Sequence, residues 1–318
     1  MIVTDRRMSW FRLLFEYRGS TLPKISGRLL SVFLVSCGVT VFYEVMGHVT
    51  DLTPLPFTLI GLALGVFLGF RNNTSYDRYW EGRRLWGSLV NYARSYTRMV
   101  LSLIHHEATP HATLDSEASR ALQVSLVYRM IGYVHALRMH LRGEVSDFEQ
   151  LASFVGRDEV DPLARDHNPP LTILTGISRE LQRALRTGCL RERDLWLFET
   201  KLNDITDVQG GCERIRSTPI PYSYTVVLHS IVAAYCFGLP FGLVASTKLL
   251  TPVVVALIAY AFLALDAVGD EIEEPFGMDD NDLPLSTLSR MIEVNLRQAL
   301  GETELPPLLA PDRARVLS

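Results

Sequence analysis

The sequence predicts an all-α membrane protein, with four transmembrane helices joined to a large helical cytoplasmic region. Three observations predict it. Four apolar segments interrupt the 318 residues. Lys and Arg crowd some of the ends of these segments and avoid others. The long polar stretch between the second and third segments repeats its apolar residues with a helical period, and strand signals are sparse. Composition agrees: 48% apolar residues and a mean hydropathy of +0.15 are high beside 21% charge. The net charge of −4 is mild and argues against a nucleic-acid partner. Cys37, Cys189, Cys212 and Cys236 form no C-x-x-C pair. They read as reduced structural thiols, neither a disulfide framework nor a zinc site.

The N-terminal residues include Asp5, Arg6 and Arg7 and precede no short apolar core with a cleavage site, so no signal peptide is expected. The first apolar segment, Leu29 to Val49, reads LLSVFLVSCGVTVFYEVMGHV. The second is Phe57 to Phe70, the third Thr225 to Ala245 and the fourth Leu249 to Val268. Segments one, three and four reach the ~20 residues that span about 30 Å of hydrocarbon. The second spans only about 21 Å as a helix. It is too short to face lipid alone, but suits a position shielded by the others. Short connectors, His48 to Pro56 and Ser246 to Lys248, pair the segments as two hairpins. Arg6, Arg7, Arg12, Arg18, Lys24 and Arg28 precede the first segment, and Arg71, Arg78, Arg83 and Arg84 follow the second. The first connector has no Lys or Arg, and the second has only Lys248. The positive-inside rule then puts both termini and the middle region in the cytoplasm.

The second segment, PFTLIGLALGVFLGFRNN, carries two stripes. Gly61, Gly65 and Gly69 recur every fourth residue, and one position on so do Leu62, Val66 and Phe70. Residues four apart lie on nearly one helical face. Small residues at this spacing let helices pack closely in a membrane. The apolar stripe faces lipid, a partner or a space between subunits. Arg71, Asn72 and Asn73 end the apolar run, and the helix is expected to enter water there.

In the polar middle, Tyr79-Trp80, Leu85-Trp86, Leu89-Val90 and Tyr92-Ala93 continue a 3.6 rhythm, and Ser75 or Asp77 offers a cap for that continuation. Helices are expected over Ala118 to Leu141, ending near Gly143, over Leu174 to Leu185, and from Arg191 to Val208, continuing to Gly210-Gly211. Asp158 to Pro170, with three prolines, reads as a loop. Glu304 to Ser318, with Pro306, Pro307 and Pro311, reads as an extended tail. The chain divides into an N-terminal cytoplasmic segment (1–28), a first membrane hairpin (29–70), a cytoplasmic helical region (71–224), a second hairpin (225–268), and an acidic turn, helix and tail (269–318).

An enzyme finds no footing here. No G-x-x-x-x-G-K-[ST], H-E-x-x-H or G-x-S-x-G motif is present. His105, His106 and His111 fall in a loop, and Cys212 has no base placed beside it by sequence. Asp266 and Asp270 close the fourth segment, where a cytoplasmic helix end accounts for them simply.

Three long motifs carry a family resemblance: GFRNNTSYDRYWEGRRLWG at 69–87, GGCERIRSTPIPYSYT at 210–225 and EEPFGMDDNDLPL at 273–285. In this order and spacing they resemble the bacterial branch of the bestrophin family, over roughly residues 8–300. The resemblance implies a homopentameric ion channel in the bacterial inner membrane, passing monovalent ions through one central pore. It places the three positions of a narrow apolar neck on Leu62, Val66 and Phe70. A second, cytoplasmic constriction falls at about Arg193, where the family usually has an apolar residue; Leu190 and Leu197 are the apolar alternatives.

Uncharged rings of this kind gate by dewetting, since an ion entering them sheds its water. Edge-on Phe70 mildly favours anions, and a ring of Arg193 attracts them, against flanking Glu192 and Asp194. The leaning is toward chloride, with a sodium-permeable channel of the same fold as the alternative. A membrane-anchored adaptor or a secondary transporter is the rival class. A transporter usually shows inverted repeats and interrupted helices, and none is legible here. In calcium-activated relatives the matching acidic turn helps hold calcium, which here falls to Asp279 and Asp282, with Glu271 and Glu274 standing where those relatives use amides; the alternative is no cofactor and an acidic turn paired with Arg6, Arg7 or Arg12.

Overall fold

The computed structural model describes residues 19–46, 53–144, 148–311 and 316–317. Arg6, Arg7, Arg12 and Arg18 and most of the first connector lie outside the described residues. The described residues are helical with short links, and they gather into two compact units. Of the described residues, one unit holds those from 19 to 80 together with 218–275; the other holds those in 81–217 together with those from 276 onward.

The first unit packs α1 (Leu22–Met46), the leading part of α2 (Leu55–Leu103), α8 (Tyr222–Thr247) and α9 (Thr251–Glu273). Its core is aliphatic: Ile25 and Val32 of α1, Leu64 and Leu68 of α2, Leu228 and Val232 of α8, and Val255 and Leu263 of α9. Among the described residues, three stretches are long and apolar enough to cross a membrane: α1, α2, and residues 222–273, where Lys248–Leu250 turns the chain between α8 and α9. Lys248 takes a φ of 46° in that turn.

The expectation that Ser75 or Asp77 caps a continuation of the second helix needs correction. α2 runs unbroken for 49 residues, with no cap at Ser75 or Asp77. Ser75 is fully buried within it, and Arg71 is only 1% exposed. The apolar run stops in sequence, but helical hydrogen bonding does not depend on apolar side chains, and nothing after Phe70 breaks it.

In the second unit α3 (Ser116–Arg142) is the central helix, with nearly every residue from Met130 to Met139 buried. Asp115 caps it by accepting from the Ala118 N–H at 2.8 Å, and Gly143 ends it in the left-handed conformation at φ 68°. Around it pack α4 (Ala152–Val155), α6 (Pro169–Arg186), α7 (Glu192–Ser217) and α10 (Leu285–Ala299). The stretch expected as a loop at 158–170 instead contains most of α5 (Arg157–Ala164), with Pro162 inside it, and the first turn of α6. Pro169 and Pro170 start α6 rather than break it: the first turn donates no intrahelical N–H bonds, so proline costs little there. Asn168 caps the same turn by accepting from Leu171 N–H at 3.2 Å. α7 continues straight through Gly210 and Gly211, and a Cβ at Gly211 would lie 2.9 Å from a Leu85 methyl. Cys212 is buried in this helix, and burial pushes its thiol well above the usual range. All four cysteines are free.

Candidate functional site

The leading part of α2 shows two opposite faces. Leu64 and Leu68 point into the core, while Leu62, Val66 and Phe70 are 70%, 50% and 61% exposed. The i, i+4 spacing fixes this division, because a 3.6-residue turn puts positions 62, 66 and 70 on one face and 64 and 68 on another. The glycines divide as well. A Cβ at Gly61 would lie 2.5 Å from the Tyr235 hydroxyl, so glycine lets α8 approach. A Cβ at Gly65 or Gly69 would meet nothing within 4 Å in the same chain. Their small size is not required by any contact within one protomer.

Arg71 follows Phe70 immediately, and its surroundings are the least expected feature of the unit. Its guanidinium donates to Asp266 Oδ1 at 2.9 Å and to Asp270 Oδ1, with Glu273 Oε2 at 3.9 Å. Asp266, 1% exposed, also accepts from His229 Nδ1 at 2.6 Å. His229 Nε2 lies 3.6 Å from Asp270. From α1, Arg28 reaches Asp266 at 4.0 Å and Lys24 pairs with Glu271 at 3.6 Å. Asn72 donates to the Leu265 carbonyl at 3.0 Å. One charged cluster therefore joins all four helices of the unit. Asp266 is a buried counter-ion, whereas Asp270 is exposed near the end of α9. The motif at 69–87 contains Arg71, but its partners lie 195 and 199 positions away. Only the rarity of buried acids in apolar segments pointed toward them.

His229, Asp266 and Asp270 place three ligand-type atoms within 4.8 Å of one another. Arg71 already bridges the two carboxylates there, so a divalent cation would meet a fixed positive charge. The acidic turn is separate. Asp282, nearly buried, accepts from the Asp279 N–H at 2.7 Å and closes the turn on itself. Asp279 and Asp282 keep the hard oxygen chemistry that calcium takes. Glu271 fits less well, because Lys24 already neutralises it. Glu271 and Glu274 belong to the first unit, Asp279 and Asp282 to the second.

Arg193 sits in the first turn of α7, 74% exposed at its side chain, with Nε 3.6 Å from Asp194. Of the two apolar alternatives, Leu190 is fully buried in its own protomer and presents nothing outward. Leu197 is exposed, as is its neighbour Trp196, which the sequence reading missed. His105, His106 and His111 lie in the loop between α2 and α3, where His106 Nε2 approaches Glu107 at 3.5 Å.

A bare apolar stripe on a helix of a membrane-type unit, anchored at one end by a buried ion cluster, defines a class of helical membrane protein with a surface left unfilled by its own chain. Comparison makes this specific. Residues 1–298 match the family model for bacterial and fungal bestrophin proteins, and the chain belongs to that family. It is 40% identical over 306 residues to a protein of Ralstonia nicotianae described as voltage-dependent anion channel-forming, covering 96% of each chain. It is 38% identical over 314 residues to the Escherichia coli K12 protein YneE, also so described, covering 98% of each. Among solved structures, a bestrophin homologue from Klebsiella pneumoniae superposes with a TM-score of 0.80 at 32% identity, covering 88% of this chain and 100% of that one.

Proposed function

We propose that the protein is an ion channel selective for small anions, built from several copies around a shared axis. The observation that carries this is the outward stripe of Leu62, Val66 and Phe70, opposite the buried Leu64 and Leu68 on one helix. The names of the relatives support the anion preference. Four membrane crossings per subunit are proposed: α1, the apolar part of α2, α8 and α9. Five subunits are proposed on family resemblance, with both termini in the cytoplasm of a bacterium. In that assembly the stripe forms three stacked uncharged rings, and the neck opens when they part enough to rewet. Gly65 and Gly69 then face neighbouring copies of α2, which accounts for their smallness. The second unit forms the cytoplasmic region, with Arg193 and Leu197 at its narrow exit. Calcium is proposed at Asp279 and Asp282.

Reversal potentials of purified protein in a planar bilayer, under a sodium chloride gradient, test this. Unitary current steps reversing near the chloride potential are expected. Replacing Arg193 by Ala shifts the reversal toward the sodium potential. Steps reversing at the sodium potential in the unsubstituted protein would refute the anion preference, and the absence of steps would refute the channel.

A further inference from the structure

The ion cluster beside Phe70 is more than a structural tie. We propose that Arg71, Asp266, Asp270 and His229 form a proton-sensitive latch that positions the Phe70 end of α2, with His229 as the group that takes up the proton. The proposal rests on reading α2 as the pore-lining helix.

Position comes first. Arg71 is one residue past the last ring of the stripe, so its buried, ion-paired guanidinium tethers the turn of α2 that carries Phe70. The guanidinium is held by Asp266 and Asp270, both on α9, and the same two carboxylates face His229 on α8 at 2.6 and 3.6 Å. His229 therefore reaches α2 through shared counter-ions without touching it.

Charge comes second. Among the described residues, the charged groups of the cluster are Arg71 of α2, Arg28 of α1, and Asp266, Asp270 and Glu273 of α9. Lys24 and Glu271 form a neighbouring pair. With a neutral imidazole, two cations stand against three carboxylates, leaving one negative charge in excess. An imidazolium makes the count three against three. Excess charge is costly at the largely buried part of the cluster, Arg71, Asp266 and Glu273, and a balanced, hydrogen-bonded arrangement there is not. Protonation of His229 thus draws Asp266 and Asp270 together around Arg71 and fixes α2 with its rings close. Loss of the proton leaves the carboxylates repelling one another, loosens the seat of Arg71 and frees α2 to shift. Imidazole is the side chain suited to this, since it changes charge between about pH 5 and 8. Acid holds the neck shut; alkali releases it.

The test uses full-length protein in liposomes, with chloride efflux followed from about pH 8 to about pH 5.5. Efflux is expected to fall by at least about fivefold toward the acid end. His229→Asn is expected to pass chloride at a rate that no longer varies over this range. Arg71→Lys, which keeps the charge, retains the pH response, and Arg71→Met loses it. A second measurement does not depend on flux: a spin label at Phe70→Cys, in a Cys37→Ala background, reports distances between subunits. Those distances shorten toward acid with His229 present and stay fixed in His229→Asn. An efflux independent of pH, or one that rises toward acid, overturns the latch while leaving the channel intact. No efflux at any pH refutes the channel, and the label distances still decide whether His229 moves α2.

Discussion

Two histidine–carboxylate pairs, one buried and one partly exposed, illustrate how one residue type serves different ends. In the second unit, His135 Nε2 lies 3.1 Å from Glu293 Oε2, with the imidazole stacked on Phe154. Burial holds His135 below its ordinary range, outweighing the raising effect of Glu293. Burial raises Glu293, but His135, Arg290 and Arg297 together hold it below the usual carboxylate range. The pair is therefore a neutral imidazole donating to a carboxylate. The sign of its pH dependence follows: a depressed histidine is protonated more easily in the unfolded chain, so its stabilising contribution is complete above about pH 6.5 and is lost as pH falls from there through the folded value. The melting temperature of the purified protein should fall on acidification below that point. His135→Gln, which keeps a donor for Glu293, should flatten this acid limb; an unchanged limb would show that another group carries it. Asp266 is the residue least legible in the sequence. Its neighbours in the chain are apolar, and its partners come from three other helices. No local pattern records such a pairing.

At the scale of elements, α2 shows why local pattern reads well in some places and badly in others. The paired stripes of glycine and apolar residues are visible in the sequence because a helix prints its faces at intervals of four. The same rule sorts Leu62 from Leu68, and the two should answer differently to truncation. Leu68→Ala opens a cavity in the core and should cost about 2–5 kcal/mol, read as a lowered melting temperature. Leu62→Ala removes an exposed side chain; melting should change little, while the chloride current changes. Equal effects on melting would mean that Leu62 is packed as Leu68 is. The boundaries were harder to read. Arg71–Asn73 resemble an exit into water only if their side chains are solvated, and tertiary ion pairing reverses that for Arg71. The prolines at 162, 169 and 170 resemble breakers only if they fall inside helices, and two of the three fall in a first turn.

For the whole molecule, the division into two units separates two kinds of chemistry. The unit built on α1, α8 and α9 buries aliphatic side chains and one ion cluster. The unit built on α3 buries Tyr133, His135, Arg138 and Glu293 among its aliphatic residues. The all-helical fold and its long apolar helices were legible because hydropathy and helical period are sums over many residues. The number of copies is not legible, since no residue pattern counts subunits. The acidic turn allows a measurement on the complete assembly. Calorimetry with calcium should show one saturable site per subunit, lost when Asp279 and Asp282 are both replaced by Ala. Heat equal to that of the double variant would leave the turn as a closed backbone feature without a ligand.

The pairing of Arg71 with Asp266 also bears on biogenesis. A ribosome delivers Arg71 to the bilayer 195 residues before its counter-ion exists. Until α9 is made, that arginine lacks the acids it is buried against in the folded unit, so its burial must follow the synthesis of α9.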